Sequence, residues 1–189
     1  MPGKIIILPE TLTHRIAAGE VVERPASIVK ELIENALDAG ATDISVELEK
    51  GGCQAIQVID NGEGIAPDDI ELAFTRHATS KIEVFEDLYR VRSFGFRGEA
   101  LPSIASVARV EMVSRRAGST AGVRLVVEGG GIRERVEAGC PVGTTVRVTR
   151  IFEPVPVRRK FLKSDMTEQG YCLDWITRLA LARTEIRLR

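Results

Sequence analysis

Cysteine is scarce, charge is nearly balanced, and no apolar run is long; each shortage closes off a class of protein. The three cysteines, Cys53, Cys140 and Cys172, are far apart and form no CxxC pair, so neither a disulfide framework nor a zinc centre is expected. That pattern suits a reducing, cytoplasmic setting. A formal net charge of -1, from 26 basic and 27 acidic residues, gives no overall pull toward nucleic acid or acidic membranes, so any such binding has to be local. The N-terminal KIIILP is too short for a signal-peptide core, and no window approaches the length of a membrane span. A soluble protein without membrane contact is the expectation. No repeat or low-complexity segment interrupts the 189 residues, a length suited to one domain, and an apolar fraction of 44% suffices for a buried core.

Periodicity supplies the elements. Ile28, Val29, Leu32, Ile33, Ala36 and Leu37 recur on one helical face between Pro25 and Gly40. Ile44, Val46 and Leu48 alternate as in a strand, Gly51 and Gly52 turn the chain, and Ala55 to Ile59 returns, predicting a hairpin. Asp68 and Asp69 are expected to open a second helix with Ile70, Ala73 and Phe74 on one side, and from His77 to Arg92 the pattern fades as in a loop or lid. SFGFRGEAL leads into a third helix bearing Leu101, Ile104, Ala105 and Ala108; the strand-like runs VEMVS, VRLVV, IRERV and TTVRVTRIF follow as a meander. Asp165 with Glu168 predicts a capping box for a last helix carrying Ile176, Leu179 and Ala180. The terminal EIRLR alternates like a strand with no partner or turn of its own, which suggests a fragment of a longer polypeptide.

Three polar stretches carry chemistry. On the first helix Glu31 and Asn35 stand at i and i+4 with Asp38 one turn on, opposite the apolar stripe. A carboxylate there can deprotonate a water, and an amide oxygen can complete a magnesium shell shared with phosphate oxygens. For the helix alone a solvated acidic face is the preferred explanation, since exposed acidic stripes are common. In DNGEGI, residues 60–65, Asp60 ends an apolar strand where a cleft can hold it, and its carboxylate can accept from an exocyclic amino group such as adenine's, with Gly62 and Gly64 letting a flat ligand approach. A plain hairpin turn accounts for DNG; a calcium loop does not fit, because its further acidic ligands are missing. GFRGEAL, residues 95–101, places two glycines and an arginine at the start of a helix, where free N–H groups stabilise phosphate. It matches neither the P-loop nor the GxGxxG fingerprint. RHATSK, residues 76–81, adds the hydroxyls and ammonium that a lid over a triphosphate needs, or is an ordinary polar loop.

Taken in order, ELIENALDAGA, DNGEGI, the span from RHATSK to GFRGEAL and PVGTTVRV resemble the four motifs of the GHKL ATPase superfamily, which includes type II topoisomerase subunits, heat-shock chaperones and sensor histidine kinases. Within it, IAAGEVVERPASIVKELIENALDAGAT, RHATSKI, SFGFRGEAL and RRKFL are similar to the MutL mismatch-repair family over nearly the whole chain. The resemblance implies an α+β fold: a two-layer sandwich of a mixed, mainly antiparallel sheet with helices on one face, spanning residues 1–189. Residues 16–25 would be a dimerisation arm and residues 76–98 an ATP lid, with transducer and C-terminal dimerisation domains lying beyond. It implies ATP and Mg2+ as ligands, Glu31 as general base, Asn35 as magnesium ligand, and Asp60 as adenine reader backed by Gly62 and Gly64. Ala39, Ile65 and Leu101 would adjoin the nucleotide, and Thr144 or Thr145 would bind adenine or its ordered water. Thr79, Ser80 and Lys81 with Gly95, Phe96, Arg97 and Gly98 would wrap the phosphates. His77 is given no chemistry.

The implied function is an ATP-gated dimeric clamp that couples mismatch recognition to repair, in the cytoplasm and on the nucleoid when DNA is bound. Its implied partners are DNA, a second N-terminal domain, a mismatch-recognition protein and downstream repair enzymes. A lysine from a following domain would reach the γ-phosphate, so hydrolysis by this piece should be slow. Arg158, Arg159 and Lys160, with Lys163, form a positive patch for sequence-independent contact with DNA phosphates, unless they are merely a solvated charge cluster. One departure is visible, EPVPV before RRKFL, where the family usually has an Asn-Thr-Pro-Ala type of sequence. Rival readings are another GHKL enzyme, such as a topoisomerase subunit, and a nucleotide-independent DNA-binding scaffold.

Overall fold

The computed structural model of the protein describes residues 22–79, 94–95 and 98–189. Helix α1 spans Pro25–Asp38, its proline in the first turn, where no N–H is required. The stripe from Ile28 to Leu37 is buried as the periodicity predicts. Strands β1 (Asp43–Glu49) and β2 (Ala55–Asp60) make the expected hairpin around Gly51 and Gly52. After the segment preceding α2 (Ala100–Val107) come β3 (Arg109–Arg115), β4 (Gly122–Glu128), β5 (Gly131–Ala138) and β6 (Gly143–Thr149). Helices α3 (Pro156–Phe161) and α4 (Asp165–Ala182) and the short strand β7 (Arg187–Leu188) complete the chain.

The seven strands lie in the order β5-β4-β3-β6-β2-β1-β7 and are antiparallel except for β7 beside β1. One face is apolar: Ile44, Ile56, Val58, Val110, Met112, Val146 and Val148 are buried in a common core with α1 and α2. The other face is a polar ladder in which Gln57 bonds Glu47 at 3.1 Å and the Arg124 guanidinium bonds both oxygens of Glu111 at 2.8 and 3.0 Å. Alternation thus sorts side chains into one dry layer and one wet layer, giving the expected two-layer α+β sandwich with helices on one face. Because β6 slots in between β3 and β2, Asp60 and Thr144 become register partners across 84 residues.

Four local expectations are corrected. The segment after Asp68 is not an α-helix but turns followed by a 3₁₀ turn at Leu72–Phe74. Ile70 is fully buried, but so short a stretch gains too few internal bonds to offset helix nucleation. The strand expected over TTVRVTRIF stops at Thr149, because Arg150 and Phe152 take left-handed backbone (φ 54° and 59°) and tuck Ile151 and Phe152 inward. The cap of α4 is Ser164, whose Oγ accepts from the Thr167 N–H at 3.3 Å, while Glu168 accepts from the Lys163 N–H. The terminal strand does have a partner: β7 pairs with Asp43 and Ile44, and Val46 N–H donates to the Arg189 carbonyl at 2.8 Å. Among the described residues no helix is long and apolar enough to cross a membrane.

Candidate active site

Glu31, Asn35 and Ala39 form one row of α1, so Glu31 stands about 12 Å along the helix from Ala39 at the α-helical rise per residue. None of Glu31, Asn35 and Asp38 is fully exposed, so the row is not a freely solvated stripe. Lys30 Nζ bridges Glu31 Oε1 and Glu34 Oε2, each at 3.1 Å. Glu34 is buried, and burial lifts its pKa against the opposing pull of Lys30. Asp38 faces the other way along the chain: Oδ1 accepts from the Phe94 N–H at 3.0 Å and Oδ2 from the Gly95 N–H at 3.2 Å. The root of the GFRGEAL segment is therefore held by the helix itself.

Asp60 closes β2 at the Ala39 end of that row. Its Oδ1 accepts from the Gly62 N–H at 2.8 Å and the Thr144 N–H at 3.2 Å, leaving Oδ2 without a hydrogen-bond partner among the described residues. Desolvation raises its pKa above the ordinary aspartate range, with the two backbone donors pulling it back. The following turn leaves no space for side chains at its glycines. A Cβ on Gly62 would stand 2.8 Å from the Ala39 carbonyl oxygen, and one on Gly64, at φ 70°, would collide with the Arg115 carbonyl. Glu63 N–H donates to the Ala39 carbonyl at 2.9 Å, joining the turn to the end of α1. The end of the first helix and DNGEGI, distant in sequence, are thus in direct contact.

Thr144 and Ile65 meet at a residue that the motifs alone did not single out. Ser114, buried on β3, bonds the Thr144 hydroxyl at 2.9 Å and the Gly143 carbonyl at 3.1 Å and accepts from the Ile65 N–H at 2.8 Å. A signal existed: in VEMVS the alternation puts a hydroxyl where the core expects a third apolar side chain. Asp38 had its place on the acidic helix face, but nothing nearby in sequence marks its partners. Thr145, on β6 one residue along, is half-buried. His77 N–H donates to the Gly98 carbonyl at 3.2 Å, so RHATSK and GFRGEAL meet there, and Leu101 packs partly into the core. Ser80, Lys81, Phe96 and Arg97, and residues 16–21 of the expected arm, lie outside the described residues. Asn35 presents a hard amide oxygen on a half-buried helix face, a donor suited to Mg2+, which keeps few protein ligands beside phosphate and water.

The opposite ends of β2 and β6 border a different hollow of about 660 Å3, lined by Lys50, Arg147, Arg150, Arg159 and Lys163 among others. Arg147 and Arg150 are paired there with Glu49 and Glu128. Of the expected basic patch, Arg159 and Lys160 are exposed on α3, whereas Arg158 turns inward and donates to the Val22 carbonyl at 2.8 Å.

Known proteins resemble this arrangement. The family described as histidine kinase-, DNA gyrase B-, and HSP90-like ATPase matches residues 20–154. The chain is 69% identical over 189 residues to the DNA mismatch repair protein MutL of Syntrophus aciditrophicus (strain SB), covering 100% of this chain and 31% of that protein. With the MutL of Xanthomonas oryzae pv. oryzae (strain PXO99A) it shares 56% identity over 182 residues, covering 96% of this chain and 29% of the relative. The solved structure of the Aquifex aeolicus MutL ATPase domain complexed with ADP superposes with a TM-score of 0.71 at 39% identity, covering 89% of this chain and 59% of that one. The chain therefore spans under a third of the length of these two MutL proteins. With the fold, the motif order and these likenesses in agreement, the chain belongs to the histidine kinase-, DNA gyrase B- and HSP90-like ATPases, and within them it is an ATPase domain of the MutL type.

Proposed function

We propose that this domain binds Mg-ATP and hydrolyses it slowly to gate a dimeric DNA clamp in mismatch repair. The observation that carries the reading is Asp60, fixed through one oxygen by Gly62 and Thr144 at the foot of the helical row that leads through Asn35 to Glu31. In this reading the adenine amino group donates to Asp60 Oδ2, with Ala39, Ile65, Leu101 and Thr144 or Thr145 around the base. The triphosphate runs along the row toward Glu31, and Thr79, Ser80, Lys81, Gly95, Phe96, Arg97 and Gly98 wrap it. The Asn35 oxygen would hold magnesium, whose charge would offset that of the phosphates. Glu31 exchanges its Lys30 contact for a water and takes that water's proton as the water oxygen bonds to the γ-phosphorus; the bond from that phosphorus to the β–γ bridging oxygen breaks, giving ADP and inorganic phosphate.

Binding orders the lid and the arm of residues 16–25, so that two such domains associate around DNA, and hydrolysis releases them. Arg159 and Lys160 contact DNA phosphates, with Arg158 supporting the segment from within. A mismatch-recognition protein and downstream repair enzymes act as partners, in the cytoplasm and on the nucleoid. The names and the nucleotide of the relatives support these assignments. Titration with labelled ATP and magnesium, followed by turnover assays, tests the core of the reading. Glu31→Ala should retain saturable binding and lose at least ~100-fold in hydrolysis, as expected for removing a general base. Parental turnover in that variant would overturn the assignment.

A further inference from the structure

Glu168 sits on α4 with a side chain only 1% exposed. Its Oε1 accepts from the Lys163 N–H at 2.9 Å, but Oε2 is buried with no hydrogen-bond partner among the described residues. A carboxylate oxygen in that condition costs free energy that packing alone does not explain. The group facing it is the guanidinium of Arg24, at 3.9 Å, close enough for attraction and too far for a hydrogen bond. Arg24 is the N-cap residue of α1, the helix that carries Glu31 and Asn35, and its guanidinium lies over the Tyr171 ring, 4.5 Å from the centroid. Glu23, Arg24, Arg158, Phe161, Leu162 and Glu168 border a cavity of about 260 Å3, so Arg24 has room to move.

Two ties therefore connect the basic segment to the residues entering the catalytic helix. Arg158 holds the Val22 carbonyl, and Lys163 reaches Arg24 through Glu168. We propose that Glu168 is a positioning residue that transmits phosphate contact at residues 158–163 to the start of α1, and so to hydrolysis at Glu31. The proposal rests on the reading of DNA as the partner of Arg159 and Lys160. A polyanion that shifts the basic segment moves the Lys163 N–H and the carboxylate bonded to it. Arg24 then has two arrangements, stacked on Tyr171 or closed onto Glu168 Oε2, and each sets the helix cap differently. Such a two-state element with both sites bearing on it is what coupling requires.

Glu168→Gln keeps an acceptor for Lys163 and nearly the same volume while removing the charge that faces Arg24. The test measures ATP hydrolysis by the full-length natural polypeptide with and without linear double-stranded DNA, alongside amide exchange of residues 22–27. In the parent, DNA should change kcat and the exchange of that segment. In Glu168→Gln, the DNA-free rate, ATP affinity and DNA affinity should stay within about twofold of the parent, while both responses to DNA vanish. Arg24→Gln, made at the more exposed partner, should lose the same responses, which keeps the test decisive if Glu168→Gln folds poorly. A DNA response in either folded variant equal to the parent's overturns the coupling. A parent that binds DNA without responding overturns the coupling alone; a parent that binds no DNA overturns the DNA reading with it.

Discussion

Strands β2 and β6 share two ends of opposite construction. At one, Asp60 and Thr144 meet, and the surface is made of backbone: two N–H groups grip one carboxylate oxygen, and glycines pack against carbonyls without room for a methyl group. At the other, near Ala55 and Thr149, long side chains border a broad hollow, five of them cationic (Lys50, Arg147, Arg150, Arg159 and Lys163) and three acidic (Glu49, Glu153 and Asp165). A small planar ligand is recognised by fixed short groups at little entropic cost, whereas a charged polymer is met by side chains that can follow it. The first kind of surface tolerates almost no substitution; the second averages over it.

The largest expected effect falls on the rigid end. On the proposed reading Asp60→Ala would remove a charge-assisted hydrogen bond to the nucleotide, and it should weaken ATP binding by at least ~2 kcal/mol, about 30-fold, in a titration with labelled nucleotide. Unchanged affinity would dissolve the contrast between the two ends. Gly64→Ala should lower unfolding stability by at least ~1–2 kcal/mol, read from denaturant midpoints, because alanine disfavours the left-handed backbone and its methyl group meets the Arg115 carbonyl. Acidification separates the ends further. Since burial holds the Asp60 pKa up, its carboxylate protonates at higher pH than an ordinary aspartate, and ATP affinity should begin to fall at correspondingly higher pH. For the free protein the sign is reversed: a carboxyl harder to ionise in the native state favours folding when protonated, and that contribution is lost as pH rises through the native pKa. The smallest change belongs to the basic end, where Arg159→Ala with Lys160→Ala should lower the slope of log DNA affinity against log salt by about 2, with ATP binding unchanged.

Much of this contrast was legible in residue order. Alternation located the hairpin, and the apolar run ending at Asp60 put that carboxylate at a strand end beside two glycines. What stayed hidden depended on distant partners. Asp38 reads as one more acidic residue until Phe94 and Gly95 arrive from more than fifty positions away. EIRLR appears unpartnered because its neighbour, β1, was laid down some 140 residues earlier. Glu168 reads as a surface capping residue because its helix periodicity gives no hint that Lys163 and Arg24 close over it. The missed helix after Asp68 shows the converse failure: local pattern was present, but the segment was too short to use it.

Asp38 occupies the last position of α1, where unpaired carbonyl groups make the local potential negative and a carboxylate is unwelcome. The N–H groups of Phe94 and Gly95, donating to its two oxygens, offset that repulsion. The conflict is one the helix carries by construction, and the two donors answer it. An unfavourable charge at a helix end thereby becomes a fastening point for a segment more than fifty residues away.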